Sequence, residues 1–365
     1  MLIGPALPAL RLTVDGYVTG HDLRRGAAPL DEMSFILANW HGTWPRQGVG
    51  FMTSELFARL SEPGRPVIID GAMGTELYRR GMMLDQAGWS ALGALTHTDL
   101  VEAIHADYAL AGAEIHITNT FATGRHVLEP IGQGDQVDEI NTRAVELCRS
   151  AVKGAAPDRR HWIVGSVSTY AHGSSRAALP PLDVLRQTFA EQCALLAEAG
   201  VDGFALEMLL DVELTLVMAE CAAATGLPYW LGFTCEVAPD GTIICRGGGY
   251  RGGRDRRFAE VLRAVLAGLP KGGSPMLAVM HNEIEVTDRA LDVVVEAWRG
   301  PVVVYPNSGT YLNPGWDFST VCSEADFVEA AQRWLDRGVA AVGGCCGLGP
   351  THIAALANAL GRREM

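Results

Sequence analysis

VIIDGAMGTE, residues 67–76, is the stretch on which the fold turns. Val67, Ile68 and Ile69 make a short apolar, β-branched run that ends on Asp70, as a buried strand does. A doubly wound dinucleotide-binding sheet carries G-x-G-x-x-G straight after its first strand. Here Gly71 and Gly74 have a different spacing, which argues against that architecture. Downstream, similar runs recur: EIHITNT (114–120), WIVGSVS (162–168), DGFALE (202–207), YWLGFT (229–234), MLAVMH (276–281), PVVVYP (301–306) and AAVGGC (340–345). Helical patterns separate them. Leu182, Leu185, Phe189, Cys193 and Leu196 repeat at three and four residues and stop at Gly200. Another helix starts at Ser323, an N-cap residue type, carries Phe327 and Trp334, and ends at Gly338. A third runs through Leu291, Val294, Val295 and Trp298. Strands alternating with helices predict βαβ units and a parallel sheet. Eight strands over about 290 residues predict an α/β fold of the (β/α)₈ (TIM) barrel type.

The 365 residues are 48% hydrophobic and 19% charged, enough to bury a sizeable core. A formal net charge of -13 argues against nucleic-acid or anionic-membrane partners, which need a basic face, and favours a small-molecule substrate. No apolar run reaches the length of a membrane span. MLIGPALPALRL lacks a basic leading region and a cleavage site, so it does not read as a signal peptide. Residues 1–51 lack periodicity and are expected to be a poorly ordered extension; Met52 opens the better pattern, and 52–365 are expected to form the barrel. The eight cysteines are scattered apart from the adjacent pair Cys345 and Cys346, which fits a reduced, cytoplasmic protein.

A barrel of this type presents its chemistry at the C-terminal ends of its strands. Those ends carry, in order, Asp70, Asn119–Thr120, Ser168, Glu207, Thr234–Cys235–Glu236, His281, Asn307–Ser308 and Cys345–Cys346. The stretch GGCCG (343–347) says most. Its glycines permit a tight turn, and neighbouring cysteines are strained as a disulfide. Two thiolates on one loop suit zinc, whose catalytic sites take three protein ligands and keep a fourth position open. Two inert buried thiols in a turn are the competing reading.

DGAMGTEL (70–77), TNTF (118–121), the strand-ending acid Glu207, YPNSG (305–309) and GGCCG (343–347) together resemble the homocysteine S-methyltransferase family, in order and spacing, over about residues 65–361. The resemblance implies a zinc-dependent (β/α)₈ barrel that moves a methyl group from a sulfonium, betaine or methylated corrinoid donor to homocysteine sulfur. It also implies that Cys345 and Cys346 ligate Zn2+, that Asp70 and Glu207 hold the amino group of an amino-acid thiol, and that Gly71 and the turn containing Thr120 shape the pocket. Two carboxylates suit an ammonium. A turn-forming role for Asp70 and an arginine partner for Glu207 are the alternatives.

The chain departs from the family pattern at the sixth strand. Where the third ligand is normally a cysteine, MLAVMHNE places His281. Histidine is a sound zinc ligand. Three thiolates leave the zinc complex at -1, whereas two thiolates and a neutral imidazole leave it at 0. The substrate thiol's pKa is then expected to fall further, with a weaker nucleophile as the result. Cys235 as third ligand with His281 as a base, Glu283 as a ligand, and no zinc at all are the alternatives. His97, His105, His116, His126, His161, His172 and His352 are expected at surface or helix positions without a role.

The implied partners are a small thiol and a methyl donor, with a homo-oligomer or a separate methyl-carrier protein as further options. Phe121, Tyr170, Phe233 and Tyr305 fall near strand ends, where they would either cradle a cationic donor or pack in the core. The chain ends nineteen residues after Cys346, without the extension of betaine-type relatives or corrinoid modules, which leans toward a sulfonium donor such as S-methylmethionine. A zinc hydrolase on the same barrel, or a non-catalytic thiol- or metal-binding protein, are the competing functions.

Overall fold

A computed structural model describes residues 54–85, 87–170, 179–245, 255–271, 273–312 and 315–361. The irregular extension expected over residues 1–51 and the role of His172 lie outside the described residues. The strands alternate in the way the pleat requires, and this alternation builds two cores. Val67, Ile69, Ile115, Trp230, Met276, Ala278 and Val303 turn inward to one cluster. Ile68, Leu231, Leu277, Val279 and Val304 turn outward to another, under the helices.

The barrel strands are β1 (Val67–Ile68), β2 (Ile115–Ile117), β3 (Trp162–Ser168), β4 (Gly203–Leu209), β5 (Tyr229–Phe233), β6 (Pro275–Met280), β7 (Val302–Tyr305) and β8 (Ala341–Val342). All pair in parallel as one sheet, in the order β1-β8-β7-β6-β5-β4-β3-β2. A parallel bridge between Ile69 and Ile115 joins the two ends, with Asp70 N donating to Ile115 O at 2.9 Å and Glu114 N to Ile68 O at 2.8 Å. The predicted eight-stranded parallel barrel is therefore the observed fold. At its N-terminal end the helix Glu55–Leu60 contributes Leu56 and Leu60 to the interior cluster beside Val67 and Trp162, closing that end.

The outer helices are α1 (Thr98–Ala111), α2 (Val137–Ala155), α3 (Leu182–Glu198), α4 (Val212–Ala224), α5 (Phe258–Gly268), α6 (Ile284–Ala297), α7 (Glu324–Asp336) and α8 (Pro350–Ala359). The stripe read in α3 is buried at Leu185, Phe189, Cys193 and Leu196. Ser323 caps α7, its hydroxyl accepting from Asp326 N at 3.1 Å. Trp298 ends α6 rather than extending it, and its indole N–H donates to Pro301 O at 3.2 Å. Two strand runs are shorter than their sequence suggests. β2 stops at Ile117 because Thr120 N turns back to Thr118 O at 2.7 Å. β8 stops at Val342 because GGCCG leaves the sheet as a turn. No helix among the described residues is long and apolar enough to cross a membrane.

Candidate active site

GGCCG is held in place by the ends of its neighbouring strands. Gly344 N donates to Asp70 O at 3.0 Å, Cys345 N to Pro306 O at 2.7 Å, and Ser308 N to Cys346 O at 2.9 Å. Gly347 closes the turn at φ 84°, and a Cβ there would lie 1.9 Å from Ser308 O, so only glycine fits. His281 follows β6 and has φ 51°, a left-handed conformation in which its N–H still reaches Tyr305 O at 3.1 Å. A non-glycine residue in that region is strained, and such strain concentrates at functional sites.

These two segments bring three ligand-type atoms together. His281 Nδ1 lies 3.5 Å from Cys345 Sγ, the two cysteine sulfurs are 3.9 Å apart, and the ligand atoms of all three residues lie within 4.8 Å of one another. Tetrahedral zinc with ordinary bond lengths separates two sulfurs by about 3.8 Å and sulfur from nitrogen by about 3.6 Å. The donor set and its spacing therefore fit a zinc ion. The neighbouring Cys346 thiol and burial both push the Cys345 thiol well above its ordinary pKa, so a bound cation is what would allow Cys345 to be a thiolate. Cys235 is not in this group: it is buried against the outer core, and its N–H donates to Asn282 Oδ1 at 2.6 Å. Glu283 is exposed and stands at the N-cap of α6.

The three residues line a cavity of about 320 Å³ at the C-terminal mouth of the barrel. Of the strand-end residues read from the sequence, Asn119, Glu207, His281, Cys345 and Cys346 line it, and so does Gly71. Asp70 and Thr120 do not. Asp70 is 2% exposed, and its carboxylate Oδ2 accepts from Ile117 N at 3.0 Å. Only its backbone meets the metal-type turn, through Gly344. The Thr120 hydroxyl donates to Ser166 O at 2.8 Å and braces the TNT turn from behind, leaving Thr118 and Asn119 to face the cavity.

Glu207 reaches the cavity through an irregularity in β4. Pairing with β5 runs from Leu206–Leu231 to Leu209–Phe233, one residue longer on β4. Such a bulge re-aims side chains near active sites. Both Glu207 and Met208 then line the cavity, with Met208 at φ 59°. Burial raises the Glu207 carboxyl to about 7, opposed by hydrogen bonds from Ser166 and Tyr305 and by the charge of His281. Tyr305 is itself fixed by the Trp230 indole N–H at 2.9 Å.

The upper wall is aromatic. Phe121 and Tyr170, which the sequence left between donor wall and core packing, line the cavity and face each other with ring centres 5.5 Å apart. Phe233 instead packs outward on Phe258 in the core, with ring centres 5.3 Å apart. Trp89, Tyr311 and Trp316 complete the wall. Tyr311 and Trp316 come from an antiparallel pair, Thr310–Tyr311 with Trp316–Asp317, and Trp89 from a loop. No periodicity or motif marks these residues, and sequence reading missed them. Among the described residues the lining holds no Lys or Arg.

His105 on α1, His352 on α8 and His126 on the short helix Arg125–Leu128 lie on helices, as expected, with His105 and His352 buried on their inner faces. His116 departs from the surface-or-helix expectation: it lies on β2 and is buried on that strand's outward face.

The sequence model of the homocysteine S-methyltransferase family matches residues 67–360. Selenocysteine Se-methyltransferase of Brassica oleracea var. italica is 27% identical over 84% of this chain and 92% of that protein. Homocysteine S-methyltransferase 3 of Arabidopsis thaliana is 28% identical over 82% of this chain and 91% of that protein. Crystal structures of the homocysteine methyltransferase MmuM from Escherichia coli, in oxidized and metallated forms, superpose with TM-scores of 0.65 and 0.64, each 26% identical and covering 80% of this chain and 96% of that one.

Proposed function

The chain belongs to the homocysteine S-methyltransferase family and is an S-methyltransferase, and from that premise we propose that it methylates the sulfur of homocysteine, or a related small thiol, at a zinc ion held by His281, Cys345 and Cys346. The observation that carries this reading is the spacing of those three ligand atoms at the cavity wall, which matches tetrahedral zinc. The existence of a metallated form of the related MmuM supports a metal here. When bound, zinc would supply an open position for the acceptor sulfur and hold it as thiolate near neutral pH.

The protein's own groups then do the rest. Glu207 holds the acceptor's ammonium, an assignment that shares nothing with Asp70, whose carboxylate is turned away. Ser166 and Tyr305 hold Glu207 toward the cavity. Gly71 lets the backbone approach the ligand where a side chain would strike Leu348 O and Tyr108. Trp89, Phe121, Tyr170, Tyr311 and Trp316 receive the methyl donor. An aromatic wall that holds no Lys or Arg among the described residues favours a cationic donor, an onium of the S-methylmethionine or betaine type, over an anionic one. Positioning the onium carbon in line with the sulfur, away from water, is the main catalytic contribution. Methylation of homocysteine would yield methionine. Residues 52–365 would carry this activity, in the cytoplasm, with 1–51 an appended segment.

The test is metal content of the reduced chain beside His281→Ala and Cys345→Ala, followed by methionine formation from homocysteine with S-methylmethionine or betaine. Zinc retained by wild type at this site, lost in both variants, and thiol methylation lost with it are expected. A wild-type chain whose thiol site takes up no zinc after reconstitution overturns the metal assignment. Turnover of neither onium overturns the donor class and leaves a methyl-carrier protein as the source.

A further inference from the structure

A second group of ligand-type side chains meets behind the cavity, between β1, β2 and α1. Asp70 follows β1, His116 lies on β2, and His105 projects from α1. Their ligand atoms lie within 4.8 Å of one another. All three residues are buried, at 2%, 0% and 0% exposure for Asp70, His116 and His105. Among the described residues, Asp70 Oδ1 has no hydrogen-bond partner, and neither ring nitrogen of His105 has one. Among the described residues no Lys or Arg pairs with the Asp70 carboxylate.

That arrangement is costly if nothing occupies it. A buried polar group left unpaired costs about 1–3 kcal/mol, and a buried carboxylate without a counter-charge costs more. A leucine at position 105 would fill the same space without that cost. His116 is oriented as a metal ligand is: its Nε2 meets His161 Nδ1 at 3.0 Å, and His161 Nε2 meets Ala156 O at 3.0 Å. This outer hydrogen bond fixes the ring and leaves Nδ1 as its remaining nitrogen for the cluster.

We propose that Asp70, His105 and His116 form a second metal site, which takes a divalent cation of the zinc class. Two imidazoles and one carboxylate suit such ions, and the cation supplies the counter-charge that Asp70 lacks. The site is a brace. It ties β1 and β2 to α1 and fixes Asp70, whose carbonyl accepts Gly344 N of the GGCCG turn at 3.0 Å. The inference stands apart from the reading of the thiol site, since the two share no side chain.

Cobalt(II) separates the two sites, because thiolate ligation gives an intense near-ultraviolet charge-transfer band and a nitrogen–oxygen set does not. The reduced full chain, reconstituted with cobalt(II) and freed of excess, is expected to hold two ions per chain. His105→Leu, which keeps the packing, should hold one and retain the band; His116→Gln should do the same if the leucine variant fails to fold. The double variant Cys345→Ser/Cys346→Ser should hold one ion and lose the band. A wild-type count of one with the band present overturns this site and leaves the thiol site standing. A count of one without the band overturns the thiol site and supports this one. Two ions retained in His105→Leu overturn the assignment of His105.

Discussion

Gly347→Ala and Gly338→Ala form a matched pair that tests how tightly the GGCCG turn is packed. The two glycines have φ of 84° and 85°. At Gly338 an added Cβ meets nothing within 4 Å, so alanine carries only the left-handed backbone penalty of about 1–2 kcal/mol. At Gly347 the same Cβ would sit 1.9 Å from Ser308 O and 2.9 Å from the Trp316 indole nitrogen. Real Cβ atoms essentially never come within 3.0 Å, so something must move by about an ångström. Ser308 cannot retreat freely. Its N–H donates to Cys346 O at 2.9 Å, its carbonyl accepts from Trp316 at 3.0 Å, and its hydroxyl accepts from Cys322 N at 2.8 Å. Breaking two such bonds adds about 1–3 kcal/mol. Urea unfolding should therefore place Gly338→Ala about 1–2 kcal/mol, and Gly347→Ala about 2–5 kcal/mol, below wild type. Because Cys346 precedes the glycine, metal affinity measured against a chromophoric chelator should fall about 10-fold or more in Gly347→Ala and stay unchanged in Gly338→Ala. Equal stabilities and equal metal affinities for the pair would refute this account of the turn.

Glu207→Gln keeps the shape but removes the charge proposed to hold the acceptor's ammonium. KM for homocysteine should rise about 10- to 100-fold, the equivalent of one charge-assisted hydrogen bond, with a smaller change in kcat. An acceptor thiol without an amino group should show no such difference between the two enzymes; an equal rise there would remove Glu207 from ammonium binding. Ser323→Ala deletes the cap of α7 and should lower stability by about 1 kcal/mol without altering kcat, as read by urea midpoint and steady-state rate. Trp316→Leu should raise KM for an onium donor more than KM for the thiol; an equal effect on both would count against the aromatic wall as the donor site. Burial lowers His126 from 6.5 to about 4, so its folded-state pKa lies below its unfolded one. Its contribution is complete above pH 6.5 and is lost as pH falls toward 4, because the unfolded chain takes up a proton that the folded chain refuses. Stability should fall by up to about 1.4 kcal/mol per pH unit per such group in that window. His126→Gln should flatten the acid limb of a urea-midpoint profile between about pH 7 and pH 5, and an unchanged slope would count against the buried neutral ring.

The sequence by itself determined the barrel, because its signals are local and repeated. A period of two in the strands and of three and four in the helices depends only on backbone geometry, so Leu185, Phe189 and Cys193 could be placed on a buried face, and Ser323 at a helix start, without knowing what they touch. Glu207, His281, Cys345 and Cys346 were legible for the same reason: strand ends define the mouth of a barrel. Tertiary structure decided whatever depends on distance between segments far apart in the chain. It joined His281 to Cys345 across 64 positions, with Cys235 and Glu283 elsewhere. It turned the Asp70 carboxylate away from the cavity, because the Ile117 N–H of the neighbouring strand donates to it, and set it against His105 and His116. It also brought Trp89 from a loop, and Tyr311 and Trp316 from a pair of two-residue strands, to one wall, where no period exists to be read. A strand or helix announces which way its side chains face; a loop's direction is fixed only by what the rest of the chain packs around it.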